Sequence, residues 1–244
     1  MRLEICRILS LGLIGLGDVK QVALEALAKK VVSCRRCPRL VKYVSEVSRD
    51  KVRRFRDWRY WGRPLPGFGD PEARMLIIGL APAGHGGNRT GRMFTGDSSG
   101  DWLIKALYET GFSNQPNSLS RDDGLKLKSA YITAVVRCAP PQNKPLAEEI
   151  KNCSEYLLEE IRLLDKVEIV LTLGRIAFDT YRRYIYPRNS DVKPRFQHGG
   201  FYKLEGRPTL VTSYHPSRQN TQTGKLSWEM WISVFEKIRQ LLAY

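Results

Sequence analysis

Residues 79–103, GLAPAGHGGNRTGRMFTGDSSGDWL, follow the apolar run ARMLIIG and are unusually rich in glycine. Glycine lets the main chain approach a ligand closely, and this loop adds the imidazole of His85, the amide of Asn88, the guanidinium groups of Arg89 and Arg92, the ring of Phe94 and the carboxylate of Asp97. From Gly86 the run GGNRTGRM copies the outer glycine spacing of a phosphate-binding P-loop. Arg92 and Met93 stand where that loop needs Lys and Ser or Thr, so the usual magnesium ligand is missing. A G-x-G-x-x-G dinucleotide signature is also absent. The inventory suits a planar heterocycle joined to phosphates: Phe94 to stack on a base, bare main chain along its edge, and Arg89 and Arg92 with His85 and Asn88 to meet the flanking backbone. Burial of Phe94 in the core is the competing explanation.

Two more loops carry polar groups in similar places. RCAPPQNKP (137–145) contains Asn143, and HPSRQNTQTGKL (215–226) opens on His215, stiffened by Pro216 and followed by Ser217, Arg218, Gln219 and Asn220. His198, in FQHGGFYKLEG, reads as part of a hairpin and carries no catalytic expectation. Cys34 and Cys37 form C-x2-C, and Cys138 and Cys153 form C-x14-C about a hundred residues later; Cys6 lies outside the pattern. Four thiolates can hold tetrahedral zinc or a 4Fe-4S cluster, and spacing does not separate the two from each other or from free buried thiols.

Four apolar, β-branched runs read as strands buried on both faces: 74–80, 130–136, 167–173 and 208–214. Helical patterns follow each of the first three, and LSWEMWISVFEKIRQLLA, with Trp228, Trp231, Phe235, Ile238 and Leu242 on one side, closes the chain. A further helix from Val19 delivers the first cysteine pair. The expectation is an α/β fold with a four-stranded, mostly parallel sheet flanked by helices on both faces in three layers. It forms one domain over 1–244, with 1–30 as an N-terminal extension and helix. Ligands of such sheets sit at the carboxyl ends of the strands, where all three polar loops fall.

The 244 residues hold 40 Lys and Arg against 25 Asp and Glu, a formal charge of +15 spread along the chain. That excess favours a polyanion, most simply nucleic acid. Residues 49–72 mix arginines with aromatic side chains and fit no periodic element. They read equally as a basic arm on a polyanion or as an irregular loop packed on the core. The apolar stretch ILSLGLIGLGDV is too short to cross a bilayer and reads as a docking strand or helix lead-in of a cytosolic protein with no membrane partner.

GLAPAGHGGNRTGRMFTGD, HPSRQNTQTGKL and the four-cysteine pattern together resemble the family 5 uracil-DNA glycosylases of thermophilic bacteria and archaea, over roughly residues 30–240. The resemblance implies the uracil-glycosylase fold and a 4Fe-4S cluster on Cys34, Cys37, Cys138 and Cys153, structural and remote from catalysis. It also implies monomeric base-excision repair on double-stranded DNA. In that reading Phe94 stacks on a flipped uracil and Gly79, Leu80 and Ala81 line its edge. Asn143 supplies a further polar contact, and His215 donates to uracil O2 as the base departs as an anion. The 217–220 segment enters the duplex. Sister families begin the first motif with a carboxylate, GQDPY or GEAPG, where Leu80 and Ala81 stand here. Asp97 is the nearest replacement for orienting water, with a helix N-cap as its alternative role. An ITN asparagine of one sister family is replaced by Ala134, which implies relaxed base choice extending to other deaminated bases such as hypoxanthine. A nucleic-acid binder without catalysis and a metal-stabilised structural module are the other classes that the residues allow.

Overall fold

The computed structural model describes residues 16–187 and 190–243; Cys6 and most of the apolar N-terminal stretch lie outside them. The first helix, α1 (Leu16–Val32), begins slightly before the expected start and ends just ahead of Cys34. Helix α2 (Pro38–Asp50) takes Pro at its first turn, where the missing N–H costs nothing, and buries Leu40 and Val44. Its short apolar stripe among charged residues had given no expectation. Residues 51–67 are irregular apart from a 3-10 turn at Arg53–Phe55.

Strands β1 (Phe68–Gly69) and β2 (Met75–Gly79) lead into the glycine-rich loop, whose buried single turn α3 (Gly87–Thr90) precedes helix α4 (Ser98–Glu109). Then follow β3 (Ala130–Ala134), α5 (Ala147–Leu163), β4 (Ile169–Leu173), α6 (Arg175–Tyr184), β5 (Gly200–Leu204), β6 (Arg207–Ser213), α7 (Arg218–Gln222) and α8 (Trp228–Leu241).

The sheet has six strands in the order β1-β3-β2-β4-β6-β5. The four expected strands are its parallel interior, in register Ile77↔Ile132, Ile77↔Leu171 and Leu171↔Val211. Two antiparallel edges correct the expected strand number. The first, β1, is two residues long and shows no period, while β5 is the first arm of the hairpin anticipated around His198, with β6 as its return.

Every residue of β2, β3 and β4 is buried, because helices cover both faces. Alternation along β2 separates two cores. Met75 and Ile77 join Leu103 and Leu107 of α4 and Trp231, Phe235 and Ile238 of α8. Leu76 and Ile78 face the other way, towards Leu40 and Val44 of α2, Leu157 of α5 and Phe178 of α6. The stripe anticipated on the last helix is therefore core packing. Since β2, β3, β4 and β6 run in parallel, Gly79, Ala134, Leu173 and Ser213 end on one edge, and the three polar loops issue from it.

Candidate active site

Gly79 is where the pocket begins. A Cβ at this position would lie 2.8 Å from Cε2 and from Cζ of Phe94, so the ring packs directly on the bare main chain at the end of β2. Phe94 reaches that position with φ at +49°, a left-handed conformation that bulky residues rarely adopt. The strain is held by Gly100, whose Cα abuts the Phe94 carbonyl too closely for any side chain. Leu80 and Ala81 continue from Gly79 along the rim. The N–H groups of Val135 and Val136 donate to the carbonyls of Gly79 and Leu80 at 3.0 and 2.9 Å, extending the β2–β3 ladder beyond the strands proper.

His215 leaves the end of β6 and sets its imidazole beside Phe94, with ring centroids 6.1 Å apart and planes 29° from parallel. Its main chain is fixed from two sides. Asn220 Nδ2 donates to the His215 carbonyl at 2.8 Å, and Gly174, at φ +90°, lies where a Cβ would come within 3.3 Å of the His215 Cβ. Burial strips water from the ring and lowers its pKa to about 4, so at neutral pH it is an uncharged imidazole able to donate one N–H.

Asp97 is the N-cap of α4: its Oδ1 accepts from the Gly100 amide at 3.0 Å. The helix starts two residues earlier than the sequence suggested, which makes the capping role real. Capping occupies one oxygen. The other, Oδ2, lies against Gly86, where even a methyl would collide with it. Burial raises the Asp97 pKa, reinforced by the neighbouring charge of Asp101 and opposed by the Gly100 and Ser99 amides and by Arg89. Asp101 is itself raised by burial and lies near enough to feel Arg218. This second carboxylate, one helical turn after the first, was legible only as an i, i+4 repeat of acids.

The remaining expected contacts divide by burial. Ser217 caps α7 by accepting from the Asn220 amide, so Ser217 and Asn220 hold the loop, while Arg218 and Gln219 are exposed at its tip. His85 is braced, with Nδ1 at 3.0 Å from the Tyr60 hydroxyl. Three expected backbone contacts are corrected. Asn88 is fully buried under α2, its Nδ2 directed at the Val44 carbonyl. Arg92 is buried in a network with Asp123, Ser118 and Thr95, each within 3.0 Å. Arg89 is buried between the Phe55 and Trp58 rings, its guanidinium carbon 3.8 and 4.1 Å from their centroids. These side chains build the loop: Arg92 spends Nε, Nη1 and Nη2 inside the protein, and Arg89 spends Nε and Nη2 on the His85 and Gly96 carbonyls. Asn143 is exposed at φ +57° in the 3-10 turn Pro141–Asn143, with no contact to Phe94 or His215 among the described residues.

Of the four cysteines, Cys37, Cys138 and Cys153 are buried and Cys34 is half-buried, and none is in a disulfide. Cys34, Cys37 and Cys153 all lie close enough to Cys138 to add to the upward shift that burial gives its thiol, and burial pushes the Cys153 thiol up to about 11. Asn152 Nδ2 points at Cys37 Sγ across 3.6 Å. Among the described residues no trio of His, Cys, Asp or Glu is gathered into metal-ligand geometry. Next to this region Arg137, fully buried, makes a two-pronged ion pair with Glu160 at 3.0 and 2.5 Å, and Thr133 donates to the same carboxylate at 2.6 Å. The sequence reading missed this pair, since neither its strand-end arginine nor its mid-helix glutamate departs from an ordinary surface pattern.

The family model for the Uracil DNA glycosylase superfamily matches residues 66–239. The chain belongs to that superfamily. It is 50% identical to a type-5 uracil-DNA glycosylase of Thermus thermophilus over 89% of this chain and 97% of the relative. It is 46% identical to a type-5 enzyme of Pyrobaculum aerophilum, over 87% and 91%. A type-4 uracil-DNA glycosylase of Sulfurisphaera tokodaii is 28% identical over 90% of this chain and 84% of its own length. The superfamily match spans the loops that carry Gly79, Phe94, Asp97 and His215.

Proposed function

We propose that this chain is a monofunctional uracil-DNA glycosylase of base excision repair, hydrolysing the N-glycosidic bond of deoxyuridine in duplex DNA to leave an abasic site. The observation that carries this reading is the pairing of Phe94 and His215 over the bare main chain of Gly79, at the strand ends of a superfamily member half identical to a type-5 enzyme.

As the bond breaks, the sugar becomes oxocarbenium-like and the base departs as an anion. Stabilising that anion is the largest task available to the protein. A neutral His215 keeps one N–H and donates it to the developing charge. Phe94 stacks on the extruded base, and Gly79, Leu80 and Ala81 keep its edge close to the backbone. Leu80 and Ala81 bring no carboxylate, so orientation of the attacking water falls to Asp97, supported by the raised affinity of its buried carboxyl for a proton.

Base choice is expected to extend beyond uracil. Gly79 pairs with Ala134 at the end of β3, so a methyl stands where an amide would otherwise read the base edge. A pocket lacking that amide leaves no polar group unpaired when a different base enters. Flipping costs least at a mispair, which favours uracil opposite guanine.

A 4Fe-4S cluster on Cys34, Cys37, Cys138 and Cys153 fits the donor set: four sulfurs in one neighbourhood, three of them buried, with an amide aimed at one. Its contribution would be structural, tying the α1–α2 turn to the loop after β3 and to α5. The protein is expected to act as a cytosolic monomer; among the described residues no helix is long and apolar enough to cross a membrane.

The deciding assay is single-turnover excision from duplexes carrying one uracil or one hypoxanthine, followed by alkali cleavage of the abasic product. Strand cleavage at uracil is expected, with weaker cleavage at hypoxanthine. An intact uracil strand would overturn the activity, and cleavage at uracil alone would overturn the relaxed base choice.

A further inference from the structure

Arg53, Arg54, Arg56, Arg59 and Arg63 are all exposed on the irregular segment between α2 and β1. Only Arg56 has a carboxylate within ion-pair reach among the described residues, its own neighbour Asp57 at 3.8 Å. A mobile loop would spread such charges apart, but this one is locked to the pocket. The amides of Trp61 and Gly62 donate to the carbonyls of Arg89 and Asn88 at 3.0 and 3.1 Å. Tyr60 meets His85, and the Arg89 guanidinium is clasped between Phe55 and Trp58 while donating to the His85 and Gly96 carbonyls at 2.8 and 2.9 Å. Gly96 directly precedes Asp97. The segment and the candidate water-positioning loop therefore form one packed unit.

The locking has an electrostatic cost. Arg54 sits over the same Phe55 ring that holds Arg89, its guanidinium carbon 4.5 Å from the centroid. Burial lowers the pKa of Arg89 and of His85, and the charge of Arg54 lowers both further. Unpaired like charges fixed side by side become favourable when an anion joins them. The arrangement is an exposed array with the partly open indole of Trp58 among the arginines, not a concave cradle, which fits an extended polyanion better than a small phosphate.

We propose that residues 53–63 are a second DNA-contact surface, beside the base pocket, that grips the phosphate backbone flanking the target nucleotide. This rests on the glycosylase reading only for which nucleic acid is bound. Arg89 serves it as a positioning residue, holding the surface in register with the loop that carries Phe94 and Asp97.

The test is equilibrium binding to an undamaged duplex across a salt series, beside single-turnover excision at saturating uracil duplex. The parent is compared with Arg53→Gln/Arg59→Gln, whose side chains are exposed and carry no packing. The control is Arg182→Gln/Arg183→Gln, which removes equal charge at the last turn of α6, the opposite end of the molecule from the strand ends. Each phosphate contact contributes about 0.9 to the slope of log K against log salt. The Arg53/Arg59 variant is expected to lose about 2 from that slope and about tenfold in affinity at moderate salt, with its saturated excision rate unchanged. The control is expected to keep the parent slope. A parent slope in the Arg53/Arg59 variant, or equal losses in both variants, overturns the surface. A lowered slope in a protein that excises nothing upholds the surface and overturns the activity instead.

Discussion

Asp97 Oδ2 occupies the space that a side chain on Gly86 would need, while Oδ1 of the same carboxylate caps α4 through the Gly100 amide. One group thus has a structural oxygen and an oxygen walled by main chain, and the two duties respond differently to substitution.

Asn caps a helix about as well as Asp, so Asp97→Asn preserves the cap and removes only the charge. Single-turnover excision is expected to fall by about 10²- to 10⁴-fold, the range for loss of a general base. Stability should move the other way. Burial raises the folded pKa of Asp97, so holding it ionised penalises the fold. That penalty is complete above the folded pKa and disappears as pH falls through it. Thermal denaturation should therefore find Asp97→Asn more stable than the parent at neutral pH, with the gap closing in acid, whereas Asp97→Ala loses about 1 kcal/mol of cap.

Gly86→Ala tests the wall without touching the carboxylate. The added methyl must displace either Oδ2 or the loop, so excision is expected to fall while the charge remains. The drop should exceed that of Gly84→Ala, where the same methyl meets only Val47 and Tyr43 at 3.5 Å or more. Equal rates in the two variants would show that the position of Oδ2 is irrelevant to the chemistry.

The parallel interior of the sheet and its ligand edge were legible because β2, β3 and β4 are buried on both faces and announce themselves as unbroken apolar runs. β1 and β5 were not, being too short or tied to a turn. Within the site, glycine was expected to admit a ligand to the main chain; the close approaches that the structure shows are those of the protein's own side chains, Phe94 on Gly79 and Asp97 on Gly86. Charge was a poor signal. Arg89 and Arg92 were expected to face phosphate, yet a guanidinium can equally be buried by aromatic faces, as Arg89 is, or by Asp123 and hydroxyls, as Arg92 is, and Phe55, Trp58, Ser118 and Asp123 all lie 25 or more residues away. Sequence spacing carries no record of such pairings. The arginines of residues 53–63 show the reverse: Tyr60 is buried and Phe55 and Trp61 are half-buried, while the arginines and Trp58 stay exposed.

Arg137 and Glu160 should show how costly a buried charge becomes when its partner is removed. Glu160→Ala leaves a fully buried guanidinium unpaired and deprives Thr133 of its acceptor, and is expected to cost about 3–5 kcal/mol in denaturant unfolding. Arg137→Met/Glu160→Leu removes both charges together and should cost much less. A double variant as damaged as the single one would show that the pair is needed for more than its own neutralisation.

His215 is the neutral partner of Asp97 across the pocket loops. Burial holds its pKa at about 4, below the ordinary histidine value, so the ring stays neutral from alkaline pH down to about that point. The excision rate should show no inflection from His215 between pH 8 and 5, and an acid limb that Asp97→Asn abolishes would belong to Asp97, whose pKa is raised. Stability follows the same sign. The contribution of the neutral buried ring is complete above the unfolded histidine pKa of about 6.5 and is lost as pH falls from there through about 4. His215→Asn removes that titration, so its melting temperature should fall less steeply than the parent's across this window. Its neutral-pH excision should drop by about 10²- to 10³-fold, as when one oxyanion donor is removed. A rate limb that shifts in His215→Asn but not in Asp97→Asn would reverse the two assignments.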